Sequence, residues 1–333
     1  MDEWEQTRYA DVPSWELSDS MWERIAPLLP PRQPHYRGRG KHKRNVGGRP
    51  WVDARQAMSG ILYVLRTGCP WKAVPRHFGT GSTIHRYFQN WTEAGVFEQM
   101  WQAGLSEYDD VIGIGWRWPG TPRFGGAAGP KWQAADGAKV ALQGAMTKAP
   151  LGGEDTGPNP TDRAKSGTKR SLLVDENGVP LALTVSGANT PDANLLDATL
   201  AAKQTKEQVA QPLERAARLL GAIEPNEPDT IQNLCLDKGY SGEPSQKVAD
   251  KYGYELHVPD KVNATQKRKR KPGRRKARRK WPAAGPWIVE VAHSWINRFR
   301  RLLIRWEKKT CNYLALLAFA CAIICWRKCE VLG

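Results

Sequence analysis

The sequence has no Cys-x-x-Cys pair, no uncharged stretch of twenty residues, no leader-like start and no acidic excess. Each absence removes a class of protein. Six cysteines (Cys69, Cys235, Cys311, Cys321, Cys325, Cys329) without paired spacing argue against a zinc cluster or a disulfide frame. Residues 1–11 are acidic and polar where a signal peptide would be basic and apolar, so the expected setting is the reducing cytoplasm. The longest uncharged apolar run, 313–326, falls short of the roughly 20 residues a membrane span needs, which favours a buried core helix. Cys321, Cys325 and Cys329 fall on one stripe of it, as buried thiols acting as small hydrophobes would, since no histidine accompanies them.

What the chain has in excess is positive charge. Its 50 Lys and Arg outnumber 34 Asp and Glu for a net charge of +16 over 333 residues, so a polyanionic partner is expected, nucleic acid before anionic membrane. The charge is clustered. Residues 37–50 (RGRGKHKRNVGGRP, including Arg44) form a Gly-rich basic segment that suits either phosphate tracking or a solvated loop. Residues 267–280 hold eleven Lys or Arg, among them Lys267, Arg268, Arg274 and Arg275, flanked by Trp281 and Trp287, and read as a nucleic-acid contact.

Periodicity divides the rest. Ser18 can cap a first helix with Trp22, Ile25 and Leu28 on one face. Met58, Ile61, Leu62 and Leu65 mark a second, stopped by Gly68 and Pro70. Trp71, Val74 and Phe78 suggest a short helix, and Ile84, Tyr87, Phe88 and Trp91 a longer one after the turn at 79–82. Helix, Gly-containing turn and helix is the helix-turn-helix pattern; the opposite face carries Thr83, His85, Arg86, Gln89 and Asn90, which can reach base edges and phosphates. The pattern alone fits a plain helical bundle with a solvated polar face equally well.

The Gly, Pro and Trp composition of 111–130 reads as a boundary. Beyond it, apolar runs at 139–143, 171–174 and 179–186 read as strands, the last two joined by a hairpin at Asn177-Gly178. Helix at 192–220, strand at 230–236, helix at 242–253 and strand at 254–258 follow, giving a mixed α/β sheet. A last amphipathic helix starts at Pro286, with Ile288, Val291, Ala292, Trp295, Phe299, Leu302 and Trp306 as its buried stripe. On it Asn297 and Arg301 return near the bearing of Glu290, with Arg298 further round, an arrangement that also fits an intrahelical charge pair on a solvated face. Asp136 before one strand, Asp237 at the end of another and Glu290 could converge at a sheet edge, where three acids can hold two divalent cations; spacing alone does not establish that they meet.

Several long motifs in order identify a family. The stretches SMWERIAPLLP, ILYVLRTGCPWKAVPRHFG, IHRYFQNW, GPNPTDRAKSGTKRSLLVDENGVPLALTVSGANTPD, LCLDKGY and WINRFRRLLIRWE resemble those of bacterial insertion-sequence transposases of the DDE class, the group of insertion-sequence families four and five. The likeness covers nearly everything from Leu17 to Arg327. It implies an RNase H-like mixed sheet with flanking helices, preceded by an all-α helix-turn-helix part. It implies Asp136, Asp237 and Glu290 as metal-binding catalytic acids with two Mg²⁺ ions, replaceable by Mn²⁺, and cleavage that leaves a 3′-hydroxyl which attacks target DNA without a covalent enzyme intermediate. Arg298 and Arg301 would contact phosphate near the scissile bond, the segment 165–170 (Lys165, Lys169, Arg170) would approach the DNA backbone, and the helix-turn-helix part would bind the terminal inverted repeats.

The resemblance sets the expected divisions: a tail at 1–16, a DNA-binding part at 17–105, a linker at 106–130, a catalytic part at 131–310 with a basic insertion at 262–281, and an apolar helix at 311–333 packing on the core. The partners implied are double-stranded DNA, as element ends and target, and further copies of the chain in a dimer or larger assembly; no membrane is expected, and the protein would work on the cytoplasmic nucleoid. Two rivals remain at this level, a catalytically silent DNA-binding derivative and a metal-dependent endonuclease that never joins strands. The sequence departs from the family where Val291, Ala292 and His293 follow Glu290 in place of the common Arg and hydroxyl residue, which puts a phosphate contact in question. His293 reads as a structural or exposed residue, or as an accessory hydrogen-bonding group.

Overall fold

The computed structural model describes residues 16–31, 36–37, 44–45, 51–112, 139–202, 232–258 and 287–332. The first part is helical. Helix α1 (Asp19–Ile25) begins where the Ser18 side chain accepts from the Met21 amide at 3.2 Å. A two-residue antiparallel pair, β1 (Tyr36–Arg37) and β2 (Arg44–Asn45), follows. Asp53 caps α2 (Ala54–Thr67) through the amides of Arg55 and Gln56, and Gly68, at φ 73°, ends it in the left-handed conformation that favours glycine. The expected face, Met58, Ile61, Leu62 and Leu65, is buried. Two 3₁₀ turns, Trp71–Ala73 and Arg76–Phe78, lead into α3 (Gly81–Glu93), capped by Thr80. A Cβ on Gly81 would collide with the Trp71 carbonyl, so only glycine lets α3 start against that turn. Ile84, Tyr87, Phe88 and Trp91 are buried as the periodicity predicts.

A helix that the sequence reading missed comes next. α4 (Val96–Val111) buries Phe97, Met100, Trp101, Leu105 and Tyr108, so the expected linker boundary at 106 falls inside a packed helix. The remainder of that linker lies outside the described residues, as do the segment 203–231 and the basic insertion at 262–281.

The second part is a mixed sheet of β3 (Lys139–Lys148), β4 (Gly157–Pro158), β5 (Ser166–Val174), β6 (Pro180–Gly187), β7 (Gln232–Leu236) and β8 (Tyr254–His257). β5 lies antiparallel between β3 and β6, with β4 on the same edge as β6, while β3, β7 and β8 run parallel. The β5–β6 hairpin turns where the sequence places it, with Gly178 at φ 78° and buried Asp175 accepting from the amides of Asn177 and Val179. α5 (Asp192–Ala201) covers one face, since Ser171 of β5 accepts from Thr199; α7 (Trp287–Asn297) covers the other, since neighbouring Arg170 donates to Asn297. Between them in sequence, α6 (Glu243–Lys251) packs on β8 and α5. The mixed sheet with flanking helices behind an all-helical region is the expected class.

The last helix, α8 (Thr310–Leu332), wedges between the two parts, against α4 on one side and β6 and α7 on the other. Tyr313, Leu316, Leu317, Phe319, Cys321, Ile323 and Cys325 are all fully buried, which makes α8 the core helix expected from its apolar run. Among the described residues no helix is long and apolar enough to cross a membrane. Three hydrogen bonds fasten α4 to the hairpin as well: Trp101 Nε1 donates to the Pro180 carbonyl at 3.1 Å, the Tyr108 hydroxyl to Asp175 Oδ2 at 2.8 Å, and Asn177 Nδ2 to the Tyr108 hydroxyl at 2.8 Å.

The expected helix from 286 to 306 is shorter than its periodicity suggests. α7 stops at Asn297 because Phe299 takes an extended backbone (φ −81°, ψ 98°) and buries its ring under the Arg66 guanidinium, 4.4 Å from the ring centroid. A 3₁₀ turn, Arg300–Leu302, follows, and Trp306 ends 40% exposed rather than on a buried stripe.

Candidate active site

The two expected acids within the described residues sit at element ends. β7 carries buried Asn233, Leu234, Cys235 and Leu236, then ends at exposed Asp237, whose carbonyl accepts from the Tyr240 amide as the chain turns away in the 3₁₀ turn Lys238–Tyr240. Leu142 of β3 pairs with Leu236 in the last step of the parallel ladder, so Asp237 follows β7 directly where its pairing with the central strand ends. Glu290 lies exposed in the first turn of α7, whose Ile288, Val289, Ala292 and Ile296 are buried. His293, nearly one turn after Glu290, places Nε2 3.3 Å from the Gln143 carbonyl. The end of a strand paired with β3 and the start of a helix packed on β3 thus each present an exposed carboxylate.

Beneath them lies a buried polar layer. Arg170 is 2% exposed and donates from Nη2 to Asn297 Oδ1 at 2.9 Å; its Nε and Nη1, the Oε1 of Gln143 and the Nδ1 of His293 have no hydrogen-bond partner among the described residues. Burial, helped by the neighbouring Arg170 charge, pushes the His293 pKa down to about 4, so its imidazole is neutral at pH 7. Of the readings the sequence left open for His293, the exposed one is excluded.

The oxygen chemistry fits a divalent cation. Exposed carboxylates such as Asp237 and Glu290 are the hard oxygen donors that Mg²⁺ or Mn²⁺ take. Among the described residues no three His, Cys, Asp or Glu side chains come together as a metal cluster. Asp136, expected as the first acid, lies outside the described residues.

Several expected DNA contacts turn inward. Arg301 is 7% exposed: Nε donates to Glu307 Oε1 at 2.8 Å, Nη2 lies 2.7 Å from the same oxygen, and Nη1 donates to the Cys69 carbonyl at 3.3 Å. With the helix broken after Asn297, Arg301 shares no surface with Glu290. The sequence pattern could not show this, because the break comes from tertiary packing of Phe299. Asn297 also faces inward, to Arg170, while Arg298 is exposed. Lys169 and Arg170 are buried inside β5, the lysine held by the Thr190 carbonyl at 2.6 Å and Asp192 at 3.1 Å, so of the segment 165–170 Lys165 is the cation left in solvent.

The helix-turn-helix face divides in the same way. Thr83 bonds to the capping Thr80, the His85 ring packs 4.9 Å from that of Trp71, and Gln89 Nε2 donates to Asn312 of α8 at 3.1 Å. Arg86 and Asn90 are exposed. Lys72 and Arg76, exposed on the turns before α3 with the Lys72 backbone against its first residue, extend that surface and were missed, although both stand in the WKAVPRHFG motif. Arg44 lies in β2, and nothing is described of its side chain; Lys267, Arg268, Arg274 and Arg275 lie outside the described residues.

Comparison with known proteins identifies the family. Residues 17–101 match a family model described as a putative transposase of the IS4/5 family, and residues 138–325 match the transposase DDE domain. A putative transposase for insertion sequence element IS402 from Burkholderia cepacia is 34% identical over 172 residues, covering 51% of this chain and 68% of that protein. An uncharacterized 16.2 kDa protein of the same element is 37% identical over 93 residues, 27% of this chain and 58% of its own length. An uncharacterized protein, y4sN, of Sinorhizobium fredii is 30% identical over 84 residues, 25% of this chain and 58% of its own length. No solved structure matches. The DDE match spans more than half of the chain, and the chain therefore belongs to the DDE transposases of the IS4/5 group, enzymes with an RNase H-like fold that act on DNA with divalent metal ions.

Proposed function

We propose that the protein is the transposase of its own insertion sequence, cutting DNA at the element ends and joining the freed 3′-hydroxyls to a target. What supports this reading is the match of residues 138–325 to the transposase DDE domain, together with Asp237 exposed at the end of β7 and Glu290 exposed in the first turn of α7. Asp136, Asp237 and Glu290 are the proposed ligands, with two Mg²⁺ ions or Mn²⁺ in their place. When bound, such ions supply an activated oxygen nucleophile and stabilise the leaving oxygen.

The remaining roles follow from what each residue faces. Exposed Arg86 and Asn90 of α3, with Arg44 and the basic cluster Lys267, Arg268, Arg274 and Arg275, bind the terminal repeats and their phosphates. Lys165 and Arg298, both exposed, contribute backbone contacts. The first reaction breaks a phosphodiester with water and leaves a 3′-hydroxyl. The second forms a new phosphodiester from that hydroxyl as the target P–O bond breaks, which needs neither a protein nucleophile nor an energy source. Division into a DNA-binding part that takes in the whole of α4, past the expected boundary at 105, and a catalytic part (131–310), assembly as a dimer or larger complex, and work on the nucleoid belong to the same proposal.

The test is incubation of the protein with labelled duplexes carrying the flanking element end and a target, in Mg²⁺ or Mn²⁺. Joined products are expected. Cut but never joined DNA would make the protein an endonuclease, and tight binding without cutting would make it a silent DNA-binding derivative.

A further inference from the structure

Arg301 stands at a junction that neither the family match nor the proposed chemistry assigns. Its guanidinium has three contacts to two acceptors, Glu307 Oε1 twice and the Cys69 carbonyl just past the end of α2. Both charges are nearly out of solvent, the Arg301 side chain 9% and that of Glu307 4% exposed. Neighbouring residues reinforce the seam: Phe299 lies under Arg66 of α2, and the Arg300 backbone approaches so closely that a Cβ on Gly68 would lie 3.1 Å from it. His85 of α3 feels both members of the pair, its pKa lowered by burial first and by Arg301 next, with Glu307 opposing. Only three residues separate this seam from Asn297, the end of the helix that carries Glu290.

A buried ion pair is an inefficient source of stability, because desolvation of both charges offsets their attraction. What a guanidinium fork adds is orientation, since its donors have a fixed geometry. We propose that Arg301 is a positioning residue that couples α2 and the DNA-reading helix α3 to α7, so that engagement of DNA by the first part is felt at Glu290. The coupling rests on the roles given above to α3 and Glu290. Arg301 touches no DNA in it.

The test uses the full-length protein with both partners replaced by apolar residues of similar size, Arg301→Met with Glu307→Leu, which leaves no uncompensated buried charge. Backbone amide exchange over 288–297 is followed with and without a bound element-end duplex, in the absence of metal. The wild type is expected to gain at least threefold protection there on binding DNA, and the double variant to bind the duplex within twofold of wild type while losing that gain. In Mn²⁺ the variant should cut at least tenfold more slowly at saturating DNA and need a higher Mn²⁺ concentration for half-maximal rate. Arg301→Lys, which keeps charge without the fork, should fall between. A folded double variant with the wild-type exchange response and Mn²⁺ requirement overturns the proposal, as does a wild type whose 288–297 amides ignore DNA. If the double variant does not fold, Phe299→Leu, which removes the Arg66 contact, decides by the same readouts. Wild-type protein that binds ends yet never cuts counts against the transposase chemistry alone, because the exchange response needs binding only.

Discussion

His293 is buried between α7 and β3, and its depressed pKa gives stability a pH dependence with a definite sign. The unfolded chain binds a proton on this histidine near pH 6.5 and the folded chain only near pH 4, so the unfolded state holds more protons between those values. Stability therefore rises with pH across that window. Acidification from 6.5 to 4 should remove about 3 kcal/mol through this group, at about 1.4 kcal/mol per pH unit. Urea midpoints of wild type and His293→Gln at pH 7 and pH 4.5 read it: the variant should lose less on acidification, and equal losses would contradict the burial. A second residue-scale expectation separates exposed from buried cations. Arg86→Gln should lower the salt dependence of DNA affinity by about one phosphate contact, whereas Arg301→Met with Glu307→Leu should leave that slope unchanged. Titration of affinity against salt decides, and a shallower slope in the buried-pair variant would restore Arg301 as a DNA contact.

At the scale of elements, packing of α4 on α8 holds the two parts together. Gly104 makes the close approach: a Cβ there would lie 3.1 Å from Cys325 Cβ and 3.3 Å from the Ala322 carbonyl. Gly104→Val should destabilise the protein by about 2 kcal/mol by overpacking, readable as a lower urea midpoint, and an unchanged midpoint would deny the contact. The thiols of the same seam should be inert. Cys321 and Cys325 are fully buried with pKa values raised by burial, and burial lifts Cys329 to about 11, while Cys311 is exposed. A thiol reagent on the native protein should reach Cys311 first and the α8 stripe only on unfolding. Rapid reaction of Cys325 would place the helix elsewhere.

Elements with strong local signals were legible in the sequence. Ser18 and Gly68 mark helix ends because their capping chemistry is local, and Asn177-Gly178 marks a hairpin for the same reason. α4 was overlooked even though Phe97, Met100, Trp101, Leu105 and Tyr108 follow helical spacing, because the Gly- and Trp-rich shift beyond it drew the boundary too early. The break in α7 was not legible, since it depends on Phe299 meeting Arg66, 233 positions earlier in the chain. Nor was the burial of Lys169 and Arg170, because a strand covered on both faces hides which cations point inward. For the site, the resemblance pointed to Asp237 and Glu290, and the register of β3 with β7 shows that Asp237 follows a strand paired directly with the central one, which the sequence did not reveal.

On the scale of the whole molecule, the helical part and the sheet are joined by α8, by the Tyr108–Asp175 and Trp101–Pro180 bonds and by the Arg301–Glu307 seam. A DNA end held on α3 is thereby carried on the same framework as the acids that would cut it. The net charge of +16 supplies long-range attraction for such a substrate and makes its binding sensitive to salt. The measurement to make is single-turnover cleavage of an element-end duplex in Mn²⁺ by the wild type and by Asp237→Asn and Glu290→Gln, with end binding measured in parallel. Both variants should bind the end within about twofold of wild type and cut it at least a thousandfold more slowly, the scale expected when a ligand of a catalytic metal site is lost. Cleavage by either variant at the wild-type rate would show that these carboxylates do not form the active site.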